Sequence, residues 1–169
     1  TLGMYGEGDF FTMKGVVEEF LEKVGIREKL TYDPHAGMVF LHPGRQAKIM
    51  YKEQVLGYLG EVHPQVRDNY EIGERTYIAV LDMPALIPYT TFDRKFSDIA
   101  KYPSVTRDIS MVMPRSIMVG QIEDIIERKG GKILESYSLF DIYEGNQIME
   151  GYKSVAYSIT FRAPDRTLE

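Results

Sequence analysis

Hydrophobic positions recur along the chain at two periods, and the change from one to the other marks out its elements. In FFTMKGVVEEFLEKVG, Met13, Val16, Val17, Phe20, Leu21 and Val24 are spaced by threes and fours, which places them on one side of a helix, and Gly25 follows as its C-terminal stop. From residue 37 the period shortens to two. GMVFLHPGRQAKIMY, KEQVLGYLGEVHP and RTYIAVLDM read as strands of an antiparallel sheet, with turns at Pro43-Gly44 and around Lys52-Glu53. Pro64 suits the first position of a short helix over QVRDNY, and Pro84 does the same for ALI. The opening TLGMYGEGD is Gly-rich and reads as a loop, or as a cut in a longer protein.

Between Pro88 and Pro103, PYTTFDRKFSDIAKYP loses both periods and reads as a linker. RDISMVMP then alternates as a strand. VGQIEDIIERKGG follows as a helix with Val119, Ile122, Ile125 and Ile126 inward, acidic residues near its start, Arg128 and Lys129 near its end and a Gly pair to stop it. ILESYSLFDIY and KSVAYSITFR supply two more strands. This β-α-β-β order is the first part of a ferredoxin-like repeat. The expected fold is α+β: a helix-on-sheet unit over 1–92, then a β-α-β-β unit over 93–169 whose closing helix and strand would follow APDRTLE.

Composition narrows the function classes. With 169 residues and 44% hydrophobic content the chain can bury a core or two small ones. The absence of cysteine removes disulfides, thiolate metal sites and a cysteine nucleophile, and fits a reducing cytoplasm. Apolar runs fall far short of the roughly 20 residues that span a bilayer. A net charge of −5 argues against a general nucleic-acid coat, because such binding is driven by neutralising phosphates with Lys and Arg. Divided at 92/93 the halves carry −4 and −1, so any nucleic-acid site must be local.

Candidate chemistry concentrates in the last two strands. In KSVAYSITF, Val155, Tyr157, Ile159 and Phe161 form the core set, which leaves Ser154, Ala156, Ser158 and Thr160 on a small, polar, open face. In LESYSLFDIY strict alternation puts Leu134, Ser136, Ser138, Phe140 and Ile142 on one side and Tyr137, Leu139, Asp141 and Tyr143 on the other, and either side could bury. Beside an open face, Tyr143 can stack on an unpaired base while Asp141 accepts from its edge. A carboxylate accepting from the N1–H and N2–H₂ donors of guanine would favour G over A. The plainer reading of Asp-x-Tyr is cover for a solvated sheet face. Arg107-Asp108, at a strand entrance, is either a structural ion pair or a contact to a nucleic-acid backbone. His42 and His63 each precede a proline, so a turn explains them more simply than a metal, and no metal site is expected. Glu18, Glu19 and Glu22 read as a solvated helix face. Tyr70, Tyr77 and Tyr89 read as packing or interface residues.

Three strings carry a family resemblance: FLHPGRQAKI with LGEVHP, then KYPSVTRDIS, then LFDIYEG…GYKSVAYSITFRAPDRTL. In order and spacing, from about Gly8 to Glu169, they resemble the β subunit of bacterial-type phenylalanine–tRNA ligases. The resemblance implies the end of a class II synthetase-like module without an active site, followed by a ferredoxin-fold anticodon-binding domain. It implies an α-subunit partner in an (αβ)2 heterotetramer, tRNA(Phe) as ligand, and ATP, Mg2+ and phenylalanine bound by the α subunit, so that this part holds no cofactor and no catalytic residue. It also implies that Asp141, Tyr143 and Ser154, with Ser110 as a weaker candidate, meet the first anticodon base, a guanosine. Two other readings compete. A ferredoxin-like ligand-binding or dimerisation module of a regulatory protein would bury the Asp141/Tyr143 face in a protein contact, and a hydrolase would need His42 and His63 to converge.

Overall fold

Two hydrophobic cores form, one in each of two compact units, Thr1–Lys95 and Phe96–Glu169, in a computed structural model that describes residues 1–93 and 100–168. Residues 94–99 of the expected linker lie outside the described residues.

The first unit is a five-stranded antiparallel sheet in the order β1-β5-β4-β3-β2, built from β1 (Leu2–Tyr5), β2 (Leu30–Asp33), β3 (Leu41–Tyr51), β4 (Gln54–Val62) and β5 (Thr76–Leu81). Helix α1 (Phe10–Lys23) begins at Asp9, whose carboxylate accepts from the Thr12 amide at 2.7 Å while the Thr12 hydroxyl accepts from the Asp9 amide at 3.3 Å. That reciprocal pair satisfies amides the first helical turn leaves without partners. Met13, Val17 and Leu21 bury against Ile49, Leu56, Leu59 and Ala79. Val16 and Phe20 do not join them: they stay 48% and 36% exposed, so the buried stripe is narrower than the six-residue face expected. Glu18 is not simply solvated either, since it accepts from Lys14 Nζ at 2.7 Å and from the Tyr32 hydroxyl at 2.9 Å. Gly25 ends the helix at φ +98°, and a Cβ there would lie 2.0 Å from the Thr91 carbonyl oxygen.

Three features depart from the alternation pattern. β1 and β2 form where no strand is expected. Each has four residues at a sheet edge, too few for a period to declare itself. β3 starts at Leu41 and runs through Pro43-Gly44 without a turn: Leu41 pairs with Val62 and Gln46 with Gly60, so four residues of β3 stand against Glu61 alone. Such a bulge tolerates the missing amide of Pro43. The Arg45 guanidinium returns across it to Glu61 at 2.7 Å. The histidines beside it serve the backbone: His42 Nδ1 accepts from the Gly44 amide, and His63 Nδ1 from the Gln65 amide at the start of α2 (Pro64–Asn69). A further short helix, α3 (Met83–Leu86), has Pro84 in its first turn. Tyr77 is a core residue, Tyr89 meets Tyr51 edge-on at 4.9 Å, and Tyr70 is exposed.

The second unit contains β6 (Val105–Pro114), α4 (Val119–Gly130), β7 (Leu134–Tyr143) and β8 (Tyr152–Phe161). Its sheet is antiparallel in the order β6-β8-β7, with the last strand between the other two. Val119, Ile122 and Ile126 of α4 pack on Met113, Val155 and Tyr157. Ile125, expected inward, is 45% exposed, because it falls at the margin of the helical stripe set by the other three. One face of the sheet therefore carries the helix and the other is free of it.

Candidate nucleic-acid interface

The open face is defined by β8, which pairs with β6 on one side and β7 on the other. Residues directly opposite in an antiparallel ladder share a face. Starting from the helix-facing Val155 and Tyr157, the intervening Ser154, Ala156, Ser158 and Thr160 project the other way. Their partners complete four rows: Val112–Ser154–Tyr143, Ser110–Ala156–Asp141, Asp108–Ser158–Ser138 and Thr106–Thr160–Ser136.

Strict alternation along β7 fails here. The register slips between Leu134 and Ser136 and again between Leu139 and Asp141, which leaves Glu135 and Phe140 as extra residues. The second bulge reverses the parity of the strand. Tyr137 and Leu139 pair with Ile159 and Tyr157 and so face the helix, whereas Asp141 and Tyr143 face away from it with Ser136 and Ser138. Tyr137 confirms its side by meeting Tyr157 edge-on at 6.3 Å. An expected grouping of Tyr137 and Leu139 with Asp141 and Tyr143 is thus corrected by one inserted residue.

Asp141, Tyr143, Ser154 and Ser110 come together in two adjacent rows around Ala156, whose methyl group forms a buried floor. The Ser110 and Ser154 hydroxyls are 3.2 Å apart across β6 and β8. Tyr143 is 42% exposed, its ring lying on Gly145. Glu144, the next residue, pairs with Arg115 at 3.3 Å, and the Arg115 amide donates to the Gly151 carbonyl at 2.9 Å, which clamps the β7–β8 loop to the end of β6.

Arg107 stands apart from this group. It pairs with Ile159 and so lies on the helix side, where its guanidinium donates to the Thr106 carbonyl at 3.2 Å. Asp108 lies on the open face opposite Ser158, so the two residues project to opposite sides, which disfavours the ion pair that is one of their two readings. Two residues near the site escaped the pattern reading. Val112, 62% exposed beside Ser154, had a signal in the sequence: a β-branched apolar residue at an open-face position of β6. Gly145 had none, because only its contact with Tyr143 sets it apart.

The three rows around Ala156 carry two carboxylates, several hydroxyls and no lysine or arginine. Such a surface suits the hydrogen-bonding edge of a base better than a phosphate, which calls for cations. Cations gather elsewhere in the unit, where Lys101, Lys132 and Arg162 line a cleft of about 400 Å³ with Glu135. There Arg162 Nε donates to Glu135 at 2.9 Å. Among the described residues no three His, Asp or Glu side chains gather as a metal site would require, and no helix is long and apolar enough to cross a membrane.

Two family models match successive parts of the chain. Residues 100–169 match the ferredoxin-fold anticodon binding domain, and residues 3–83 match the phenylalanyl tRNA synthetase beta chain CLM domain. Phenylalanine–tRNA ligase beta subunits are similar throughout: 46% identity over 168 residues with that of Clostridium acetobutylicum and 45% over 167 with that of Clostridium tetani, each covering 99% of this chain and 21% of the relative. The Bacillus subtilis subunit is 40% identical over 160 residues, covering 95% of this chain and 20% of its own length. The chain thus spans about a fifth of the curated relatives it matches. Two domain models in one order, and similarity that runs unbroken across both, place the chain in the phenylalanine–tRNA ligase β-subunit family.

Proposed function

We infer that this chain is the tRNA-reading portion of a phenylalanine–tRNA ligase β subunit, acting in the ATP-dependent attachment of phenylalanine to tRNA(Phe) in the cytoplasm. Residues 1–92 serve as the end of a class II synthetase-like scaffold that does no chemistry, and residues 93–169 bind the anticodon. The partner is the α subunit, in an (αβ)2 assembly, and ATP, Mg2+ and phenylalanine belong to that subunit.

The observation that carries this reading is the grouping of exposed Tyr143, Asp141 and Ser110 with half-buried Ser154 on one face of the β6-β8-β7 sheet. A flat ring beside acceptor and donor groups is what a splayed-out base needs. Asp141 accepts from the two donors on the guanine edge, the serine hydroxyls bond its remaining polar atoms or its ribose, and Tyr143 stacks on its face. Adenine presents an acceptor at N1 where guanine presents a donor, so the carboxylate discriminates by leaving an unsatisfied acceptor pair with the wrong base. A regulatory ligand-binding module is not favoured by the family match, and His42 and His63 are each engaged with the backbone instead of converging.

In the complete αβ ligase, Tyr143→Ala removes a base stack worth about 1–3 kcal/mol, so kcat/KM for tRNA(Phe) is expected to fall roughly ten- to a hundredfold. ATP–pyrophosphate exchange with phenylalanine should hold. Asp141→Asn keeps one acceptor but turns an NH₂ toward a guanine donor, so preference for G at the first anticodon position should shrink. Normal charging of tRNA(Phe) by both variants would end this reading.

A further inference from the structure

Gly145 opens the loop between β7 and β8, and its carbonyl accepts from the Ile148 amide at 3.0 Å to close a turn. The first position of such a turn accepts most residues. Nor does Gly145 belong to the glycines of the chain with positive φ. Its backbone therefore has no need of glycine, and the reason for one lies in space.

A Cβ at this position would stand 2.1 Å from Tyr143 Oη, 2.2 Å from Cζ and 2.8 Å from Cε2. The Tyr143 ring lies directly on the Cα, in room that any side chain would fill. Which partner would yield follows from the surroundings. The loop is held by the Glu144–Arg115 pair and the Arg115–Gly151 hydrogen bond, whereas the atoms in conflict are the tip of a side chain that is 42% exposed. A methyl group would therefore turn the ring away and leave the loop in place.

We propose that Gly145 is a positioning residue, which seats the Tyr143 ring as a preformed platform so that a base finds it already oriented. The inference rests on the reading of Tyr143 as the base-stacking residue. A platform held in place before binding spares the cost of ordering it in the complex.

The test is a cycle of Gly145→Ala, Tyr143→Ala and the double variant in the complete αβ ligase, with tRNA(Phe) as substrate. Gly145→Ala is expected to raise KM for tRNA(Phe) about five- to tenfold, with kcat, ATP–pyrophosphate exchange and melting temperature unchanged. The double variant should be no worse than Tyr143→Ala alone, since without the ring there is nothing to displace. Wild-type charging by Gly145→Ala, when Tyr143→Ala is impaired, overturns the proposal. So does a Gly145→Ala penalty of equal factor in both backgrounds, which would assign the defect to the loop. Should Gly145→Ala lower the melting temperature, recovery in the double variant supports the ring contact and persistence refutes it. Normal charging by Tyr143→Ala defeats the anticodon reading itself, and this role with it.

Discussion

At the scale of single residues, the buried carboxylate of Glu61 has consequences that can be measured. It is 2% exposed, faces the β3 bulge alone, and has Arg45 Nη1 at 2.7 Å and Arg75 Nε at 4.0 Å. A charge in such a place is tolerated only with a partner, and removing the partner costs more than replacing the charge. Arg45→Ala is therefore expected to destabilise the protein by about 3 kcal/mol, the low end for a stranded buried charge because Arg75 remains near. Glu61→Gln should cost less, about 1 kcal/mol, because its amide oxygen still accepts from Arg45. Urea unfolding of both variants gives the order; equal losses would mean that leaving the Glu61 carboxylate buried without Arg45 carries no extra cost. Tyr32 shows the same logic in reverse: burial first, then the neighbouring Glu18 carboxylate, push its hydroxyl above the usual tyrosine range and favour the protonated form that donates to Glu18 at 2.9 Å.

At the scale of elements, the start of α1 depends on one cap. The Thr12 amide hydrogen-bonds the Asp9 carboxylate and, with the Thr12 hydroxyl, holds it below the usual aspartate range. A carboxyl whose folded pKa is depressed contributes stability that is present above its unfolded pKa and lost as the pH falls through the folded value. Asp9→Ala should accordingly melt below wild type at neutral pH, and the gap should close as the pH drops beneath the ordinary aspartate range near 3.8. Melting curves between pH 7 and about pH 2 check this, and a gap independent of pH would assign the effect to helix propensity. The same scale explains β7. Its bulge at Phe140 allows Ser136, Ser138, Asp141 and Tyr143 to share a face that a regular strand would split between two.

At the scale of the whole molecule, two separate cores imply two separate responses to damage. Leu56 is fully buried in the first, among Met13, Leu21, Ile49 and Tyr77, while Val155 and Tyr157 centre the second. Leu56→Ala leaves a cavity where side chains from helix and sheet meet, at a cost of about 2–5 kcal/mol. Amide hydrogen exchange should then quicken in β3, β4 and β5 and remain unchanged in β6, β7 and β8. Equal loss of protection in both sheets would show that the two units unfold as one.

Long periodic segments were legible from residue order alone. α1, α4, β4, β5, β6 and β8 repeat their period often enough to identify themselves, and the open face of β8, with Ser154 and its neighbours, follows from unbroken alternation. The strings that carry the family resemblance are likewise local in sequence, and the comparisons agree with them. What residue order could not settle is everything that depends on a second strand. β1 and β2 exist because β5 and β3 supply hydrogen-bonding partners; Pro43-Gly44 is a bulge because Arg45 reaches back to Glu61; Ile125 is exposed because the sheet accepts only three residues of α4. The candidate site shows the division most plainly. Residue order named Asp141 and Tyr143 and put them on one side of β7, but which side of the sheet that is was decided by where β7 slips against β8, and the setting of the Tyr143 ring by a glycine that the folded loop brings beneath it. Alternation is a property of one strand, whereas register and contact are properties of two segments brought together by the fold.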